Sequence, residues 1–592
     1  MKRPDGDRIG TTLALTPAPL GFAQAFLSRL NFSFLLIMIV GVGLGALILI
    51  PLGLLILNSF RDVTIGEIGF GLDKFTLQNY FEAYGDPYTY TMLFNTFLFA
   101  CGSMAVSFIL GGTMAYLVER TDAPFRRYAY GLMLVPLIMP NIINGIAWIL
   151  LLSPRIGMLN QLTSWFGLGR PFNPNNLWAM SWVEGISISP LAFLMLGAAL
   201  KQMDPALEDA AATAGASPLR VLRKITLPVV LPAIGGVAVI QFVRGLEGFE
   251  VPLLLGLEKG YVVFSTSIWL AIRMTFPPKY GLAFAYGATI ILLAGFALIL
   301  YQRMMSRTER FTVVTGKAYR ARTVELGRWR TVAVGFMLFY LLAGIGLPFF
   351  TLLWASVQHI YRAPSWAALQ QLTLEHYTGL FERQDAIIML RNTVILITVS
   401  TVVIMVLSLI ISWVVLRVKS SGAKIIDAIS FLPQAMPAIV MGLGFMIIFL
   451  SFRNPIYGSV WILVIAYSIR FLPLGTRFTH AGLVQIHKEL EEAAQVCGGN
   501  TWLVFRRVLF PLLTPTLVGG GLFVAILSIK VLSMAALLWT PKSIILAVHI
   551  WQTWEEGNFA QVGALSVLLM VLIGALTVVA HKLTRGDRWM AG

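Results

Sequence analysis

The stretch LKQMDPALEDAAATAGASPLRVLRKITLP, residues 200–228, is a charged, alanine-rich break in a chain that is otherwise apolar. It returns as VQIHKELEEAAQVCGGNTWLVFRRVLFP at residues 484–511. Asp209, Ala210, Ala211, Gly215, Ile225, Leu227 and Pro228 of the first copy answer to Glu492, Ala493, Ala494, Gly498, Val508, Phe510 and Pro511 of the second, each pair 283 residues apart. Their chemistry predicts a short helix ended by glycine. Asp204 suits the N-cap, Pro205 the first helical position, alanine the body and Gly215 the left-handed stop, after which a second helix leads to Pro228. The basic runs Arg220, Arg223, Lys224 and Arg506, Arg507 stand just ahead of the next apolar segment, where cations mark a cytosolic face. A compact knob of small side chains, present twice in register, predicts two seats gripped by another protein.

Composition places these knobs between membrane spans. With 57% apolar residues, 12% charged residues and a mean hydropathy of +0.79 over 592 residues, the chain is no ordinary soluble globule. Apolar runs long enough to cross about 30 Å of hydrocarbon lie near 32–58, 90–118, 128–152, 177–200, 230–255, 281–302, 332–357, 389–416, 425–450, 458–482, 512–538 and 561–582. The net charge of +16 does not point to nucleic acid, because the bases fall between these runs as topology signals. The expected surroundings are a lipid bilayer. Placing the N-terminus inside puts most of the 44 Lys and Arg on cytosolic segments, so both termini are expected in the cytosol. The organisation that follows is a cytosolic tail (1–31), a first six-span repeat (32–302), a basic cytosolic linker (303–331) and a second six-span repeat (332–592).

The halves match beyond the knobs. MLFNT at 92–96 answers to MLRNT at 389–393, and LVPLIMPNII at 134–143 to FLPQAMPAIV at 431–440, both 297 residues apart. The difference from 283 implies an insertion in the first half, near 153–176. Six spans between equivalent positions make the repeats parallel, related by an axis along the membrane normal. The fold expected is an all-α polytopic membrane protein of about twelve helices in two parallel six-helix repeats.

Charges inside spans cost about 2.5–3.5 kcal/mol each at mid-helix and usually face a bundle interior or water. In the fifth span Arg244, Glu247 and Glu250 recur every third residue, which keeps them on one helix face. Lys530 is the repeat equivalent of Glu247, so pseudo-symmetry predicts that the two face each other, either beside a translocation path or as a structural ion pair. Arg470 and Glu184 complete the candidate set. The outward loops near 257–280 and 540–560 carry Glu258, Trp269, Trp551, Trp554, Glu555 and Glu556, which suit either an external partner or an interfacial aromatic belt. Cys101 and Cys497 define no disulfide framework, and His359, His376, His480, His487, His549 and His581 are scattered without metal-ligand spacing, so neither a metal site nor an enzyme is expected.

At its knobs the chain resembles the membrane permease subunits of bacterial binding-protein-dependent ABC importers, whose signature is a Glu-Ala-Ala loop. The two halves in one chain, with FEVPLLLG at 249–256 and YGLAFAYGA at 280–288, look most like the ferric-iron-type subgroup, which includes carriers of organic phosphates and phosphonates. Asp209 and Glu492 match the motif's acid, with Glu208 preceding the first, while Ala210, Ala211, Ala493 and Ala494 match its alanines and Gly215 and Gly498 its glycine. Asp replaces the usual Glu in the first copy, and Val508 and Phe510 replace the usual Ile and Leu in the second.

The resemblance implies that two ATPase subunits dock under the knobs and that an external or periplasmic binding protein delivers the solute. It also implies residence in a bacterial inner membrane and ATP and Mg held on the ATPases, with no cofactor in this chain. Gly316-Lys317-Ala318 lacks the hydroxyl and leading glycine of a phosphate-binding loop, so hydrolysis belongs elsewhere. Ferric ion, a phosphorylated or phosphonate anion and a polyamine are the solutes left open. An ion-coupled secondary transporter shares the two-times-six-span plan, but has no use for matched knobs between the fourth and fifth spans of each half.

Overall fold

The computed structural model describes residues 32–584, apart from 64–66, 138, 205, 309–322, 383, 419, 452–455 and 457. The expected tail at 1–31, Pro205 and most of the linker fall outside the described residues. Those described form helices joined by loops, with only isolated β-bridges. The bridges themselves repeat, since Arg61 with Phe75 and Gln358 with Leu372 lie 297 residues apart.

Ten of the expected spans are continuous helices: Ile37–Ser59, Pro87–Arg120, Leu177–Gln202, Leu219–Glu247 and Tyr280–Arg303 in the first half, and Gly327–Ser356, Asp385–Arg417, Val460–Val484, Thr501–Lys530 and Phe559–Val579 in the second. The third span of each half is bent, by 92° between Arg126–Leu137 and Asn141–Leu152 and by 110° between Ser421–Ala435 and Ala438–Ser451. Each break falls at a Met-Pro pair. Proline drives the residue before it out of the α region, and Met436 is extended (φ −98°, ψ 122°).

The fifth and eleventh spans differ from the sequence expectation. They start lower, at Leu219 and Thr501, and stop at Glu247 and Lys530 rather than near 255 and 538. Short helices follow each: Pro252–Lys259 and Phe264–Arg273 in the first half, Ser533–Leu538 and Leu546–Glu555 in the second. At 1.5 Å per residue the ten residues of Phe264–Arg273 reach about 15 Å, half a bilayer. The two first-half helices meet at 76°, and neither is long enough to cross a bilayer alone. The residues just past the break, Phe249 and residues 251–257, are still apolar, so hydropathy alone does not reveal the break at Gly248.

Packing repeats between halves. The second span lies along the fourth in each, and the fifth packs against the second, fourth and sixth, as the eleventh does against the eighth, tenth and twelfth. Small residues permit close approach in the absence of a hydrophobic driving force. A Cβ on Gly111 would come within 2.4 Å of the Ser189 carbonyl, and one on Gly475 within 2.5 Å of the Ser408 hydroxyl. The first span of each half crosses to the other. Helix Phe32–Ser59 packs on the bent third span of the second half, and Leu347–Ser356 packs on Asn141–Leu152 of the first. The halves thus embrace about a common axis.

Candidate functional site

Both coupling stretches fold the same way. Ala206–Thr213 is a helix opened by Asp204, whose Oδ1 accepts from the Ala206 N–H at 2.9 Å, and Glu489–Val496 is its counterpart. Gly215 and Gly498 then adopt left-handed φ values of +80° and +85°. The following N–H groups, of Ala216 and Gly499, return to the carbonyls of Ala211 and Ala494 at 3.0 and 2.9 Å, closing the helix end. A short second helix, Pro218–Val221 or Thr501–Val504, runs through one π-helical turn, Leu222–Thr226 or Phe505–Leu509, into the next span. The π-turns share the 283-residue offset. They precede Pro228 and Pro511, which have no N–H to give and crowd the carbonyl four residues back, and a wider turn relieves that. The second helix of each coupling stretch is therefore continuous with a span, and the alanine-rich helix is joined to it by the glycine turn.

A buried arginine locks each knob to two more spans. Arg120, at the foot of the second span and 1% exposed, donates to the Leu200 and Met203 carbonyls at 2.6 and 3.3 Å and pairs with Glu208 at 3.2 Å. Glu208 also accepts from the Thr226 hydroxyl at 2.5 Å, at the foot of the fifth span. In the second half Arg417 donates to the Ile486 carbonyl at 2.9 Å and pairs with Glu491 at 2.6 Å, and Glu491 also accepts from Trp413 Nε1 at 3.1 Å. The cations sit on the carbonyl ends of the fourth and tenth spans, where the helix dipole favours them.

The carboxylates doing this are Glu208 and Glu491, one residue before the motif acids. Asp209 accepts from the Thr213 hydroxyl through its backbone carbonyl, and Glu492 makes an exposed pair with Lys488 at 2.8 Å. Ala210, Ala211, Ala493 and Ala494 line the same short helices, and the ideal Cβ positions on Gly215 and Gly498 meet no atom within 4 Å.

A second polar layer lies within the membrane, where the halves meet. Glu247 pairs with Arg244 one turn away and, across the interface, with Arg470, both at 3.3 Å. Arg470 also donates to the Pro433 and Met436 carbonyls at 2.8 Å, at the break in the bent third span of the second half. Lys530 donates to the Leu137 carbonyl at 2.6 Å, at the corresponding break of the first half. Broken membrane helices need donors for freed carbonyls, and here cations supply them. Glu250 accepts from the Leu532 and Ser533 N–H groups of the other half, both at 3.1 Å. Glu184 is 3% exposed, and its Oε2 has no hydrogen-bond partner among the described residues.

Two expectations are corrected here. Glu247 does not pair with Lys530, because Arg470 is available and Lys530 is occupied by a helix end. Glu250 does not share a helix face with Arg244 and Glu247, because the helix breaks at Gly248 and Glu250 opens the next element.

With two knobs in register, each joined to a span, a comparison at family level becomes decisive. A model described as "Binding-protein-dependent transport system inner membrane component" matches residues 107–310 and again 404–584. The chain belongs to this family. As an inner membrane component it carries the family unit twice, a fused pair in one multi-pass chain.

Among its relatives, "Ferric transport system permease protein FbpB" of Actinobacillus pleuropneumoniae is 26% identical over 455 residues, covering 75% of this chain and 64% of that protein. This chain thus spans a little under two thirds of that relative's length. "Fe(3+)-transport system permease protein FbpB 2" of Haemophilus influenzae is 23% identical over 532 residues, covering 89% and 96%. "Putative 2-aminoethylphosphonate transport system permease protein PhnV" of Salmonella choleraesuis is 26% identical over 181 residues, covering 30% and 67%.

Sequence reasoning on this inner membrane component missed Arg120, Arg417 and Glu491. A signal was present, since Arg120 and Arg417 keep the 297-residue offset and Glu208 and Glu491 the 283-residue one. Membrane-proximal arginines read first as topology signals, and that reading hid the clamp.

Proposed function

We propose that this chain is the permease of an ATP-driven importer, with two separate ATPase subunits seated on the coupling stretches 200–228 and 484–511 and an external binding protein delivering the solute. The observation that carries this is the pair of coupling stretches, each running from its second helix through a π-turn into the fifth or eleventh span and clamped by Arg120 or Arg417 to two others. Closing the ATPases on ATP draws the knobs together, and the spans rock between inward-open and outward-open states. The bias comes from the ATPases' preference for one state, since a partner indifferent to state shifts nothing. ATP and Mg belong to those subunits, and no cofactor is required of this chain. In this reading both termini face the cytosol, which the distribution of basic residues supports.

Along the path, Arg244, Glu247, Glu250, Lys530, Arg470 and Glu184 form the layer the solute must pass between the halves, and the ties across it must part for passage. The cargo we favour is ferric ion or a phosphorylated or phosphonate anion, supported by the names of the relatives. A photoreactive residue at Leu207 (50% exposed) or Val496 (88% exposed) tests the seats in the full chain. ATPase adducts at both sites are expected, and their absence from cells transporting normally overturns the docking. The ligand held by the binding protein that supports uptake through this chain tests the cargo.

A further inference from the structure

The linker between halves ends against the first clamp. The Val324 N–H donates to the Arg120 carbonyl at 2.9 Å, and the Asp122 N–H donates back to the Val324 carbonyl at 3.2 Å, forming a parallel bridge beside Thr121. The Asp122 carboxylate then takes the Leu326 N–H on Oδ1 at 2.9 Å and the Arg330 guanidinium on Oδ2. The Leu326 side chain packs against the core. Arg330 begins helix Arg330–Leu341 of the seventh span, and Arg120 holds Glu208 of the first knob. A passive tether between two domains has no need of such fixing, and a chain merely crossing the surface would leave its backbone to water.

We propose that residues 323–330 are a strap, fastened through Asp122 and Arg330 as positioning residues, that ties the first coupling stretch to the seventh span and so carries work done on the first knob into both halves. Arg120 is the junction. Its guanidinium holds the knob and the end of the fourth span, and its own backbone carbonyl is held by the strap. The first coupling stretch thereby moves the fifth span through its second helix and the seventh through the strap. This inference rests on the proposed role of the knobs as ATPase seats.

The test uses the full chain in nanodiscs, comparing Asp122→Lys, Arg330→Asp and the swapped pair Asp122→Arg with Arg330→Asp. Hydrogen exchange is read at 324–326, at 206–226 and at 489–509, alongside solute uptake and ATP hydrolysis in vesicles holding the ATPases and binding protein. Asp122→Lys should raise exchange at Leu326 and through 206–226 about tenfold or more, the loss expected for a charge-assisted hydrogen bond, while 489–509 stays unchanged. Uptake per ATP hydrolysed should fall several-fold with hydrolysis retained, and the swap should restore the uptake ratio and the protection of 206–226 but not that of the Leu326 N–H, which a guanidinium cannot accept. Faster exchange at 324–326 alone, with 206–226 and the uptake ratio as in the parent, overturns the strap. A parent chain that fails to stimulate the ATPases would refute the seat assignment instead, and the exchange pattern would still judge the strap.

Discussion

Breaking the second clamp gives a ranked set of outcomes. Arg417 and Glu491 are 13% and 7% exposed, joined at 2.6 Å, with Trp413 Nε1 on the second carboxylate oxygen at 3.1 Å. Arg417→Met leaves a desolvated carboxylate with one neutral donor, and removing one partner of a buried pair costs about 3–5 kcal/mol. Glu491→Gln keeps an acceptor for Trp413 but loses the charge-assisted bond, about 1.5–3 kcal/mol. Arg417→Met with Glu491→Gln removes both charges while the amide oxygen still accepts from Trp413, so its loss should fall well short of the sum of the two singles. The double variant should therefore be more stable locally than Arg417→Met alone, with a coupling energy of about 1–3 kcal/mol. Hydrogen exchange over residues 486–499 reads the local opening free energy. Protection in Arg417→Met equal to the parent, or double-variant losses that simply add, would refute the clamp.

Three further outcomes follow from the same geometry. Gly215→Val with Gly498→Val meets no steric obstacle but forces a β-branched residue to φ near +80° and +85°, about 1–2 kcal/mol per site. The variant should hydrolyse ATP with uptake reduced several-fold, and full transport would count against the glycine stops. Lys530→Met leaves the Leu137 carbonyl without its donor, a loss of about 1.5–3 kcal/mol that should appear as a lower Tm in detergent and slower uptake. Unchanged uptake and melting would take Lys530 out of the path. Arg330 and the Leu326 N–H hold the Asp122 carboxyl below its ordinary 3.8. A depressed carboxylate stabilises the fold above its unfolded pKa and ceases to do so as pH falls through the folded value, so Leu326 exchange, corrected for intrinsic rate, should be level from pH 5 to 8 and rise only below about pH 4. Loss of protection near pH 6 would contradict that pairing.

The knobs were legible because alanine, glycine and paired charges stand out in an apolar chain, and duplication doubled the signal. The spans were legible because hydropathy reports length, although that scale does not see a helix end between Glu247 and Glu250, where the apolar character continues. The same blind spot put Glu250 on the wrong element. The Glu247 partner was missed for a different reason. Pseudo-symmetry pairs position 247 with 530, yet Arg470 answers to Ser187 in the first half, so the cation that binds Glu247 has no symmetric precursor to betray it. Symmetry arguments locate depth better than partners. Cation capping of broken helix ends depends on where breaks from different halves converge, which only the assembled fold displays.

The most direct measurement is uptake by the purified chain in sealed vesicles, first under a proton or sodium gradient alone and then with its ATPase subunits, its binding protein and ATP. The account predicts no solute accumulation in the first condition and ATP-dependent accumulation in the second. Accumulation driven by the gradient alone, with no ATPase present, would contradict it.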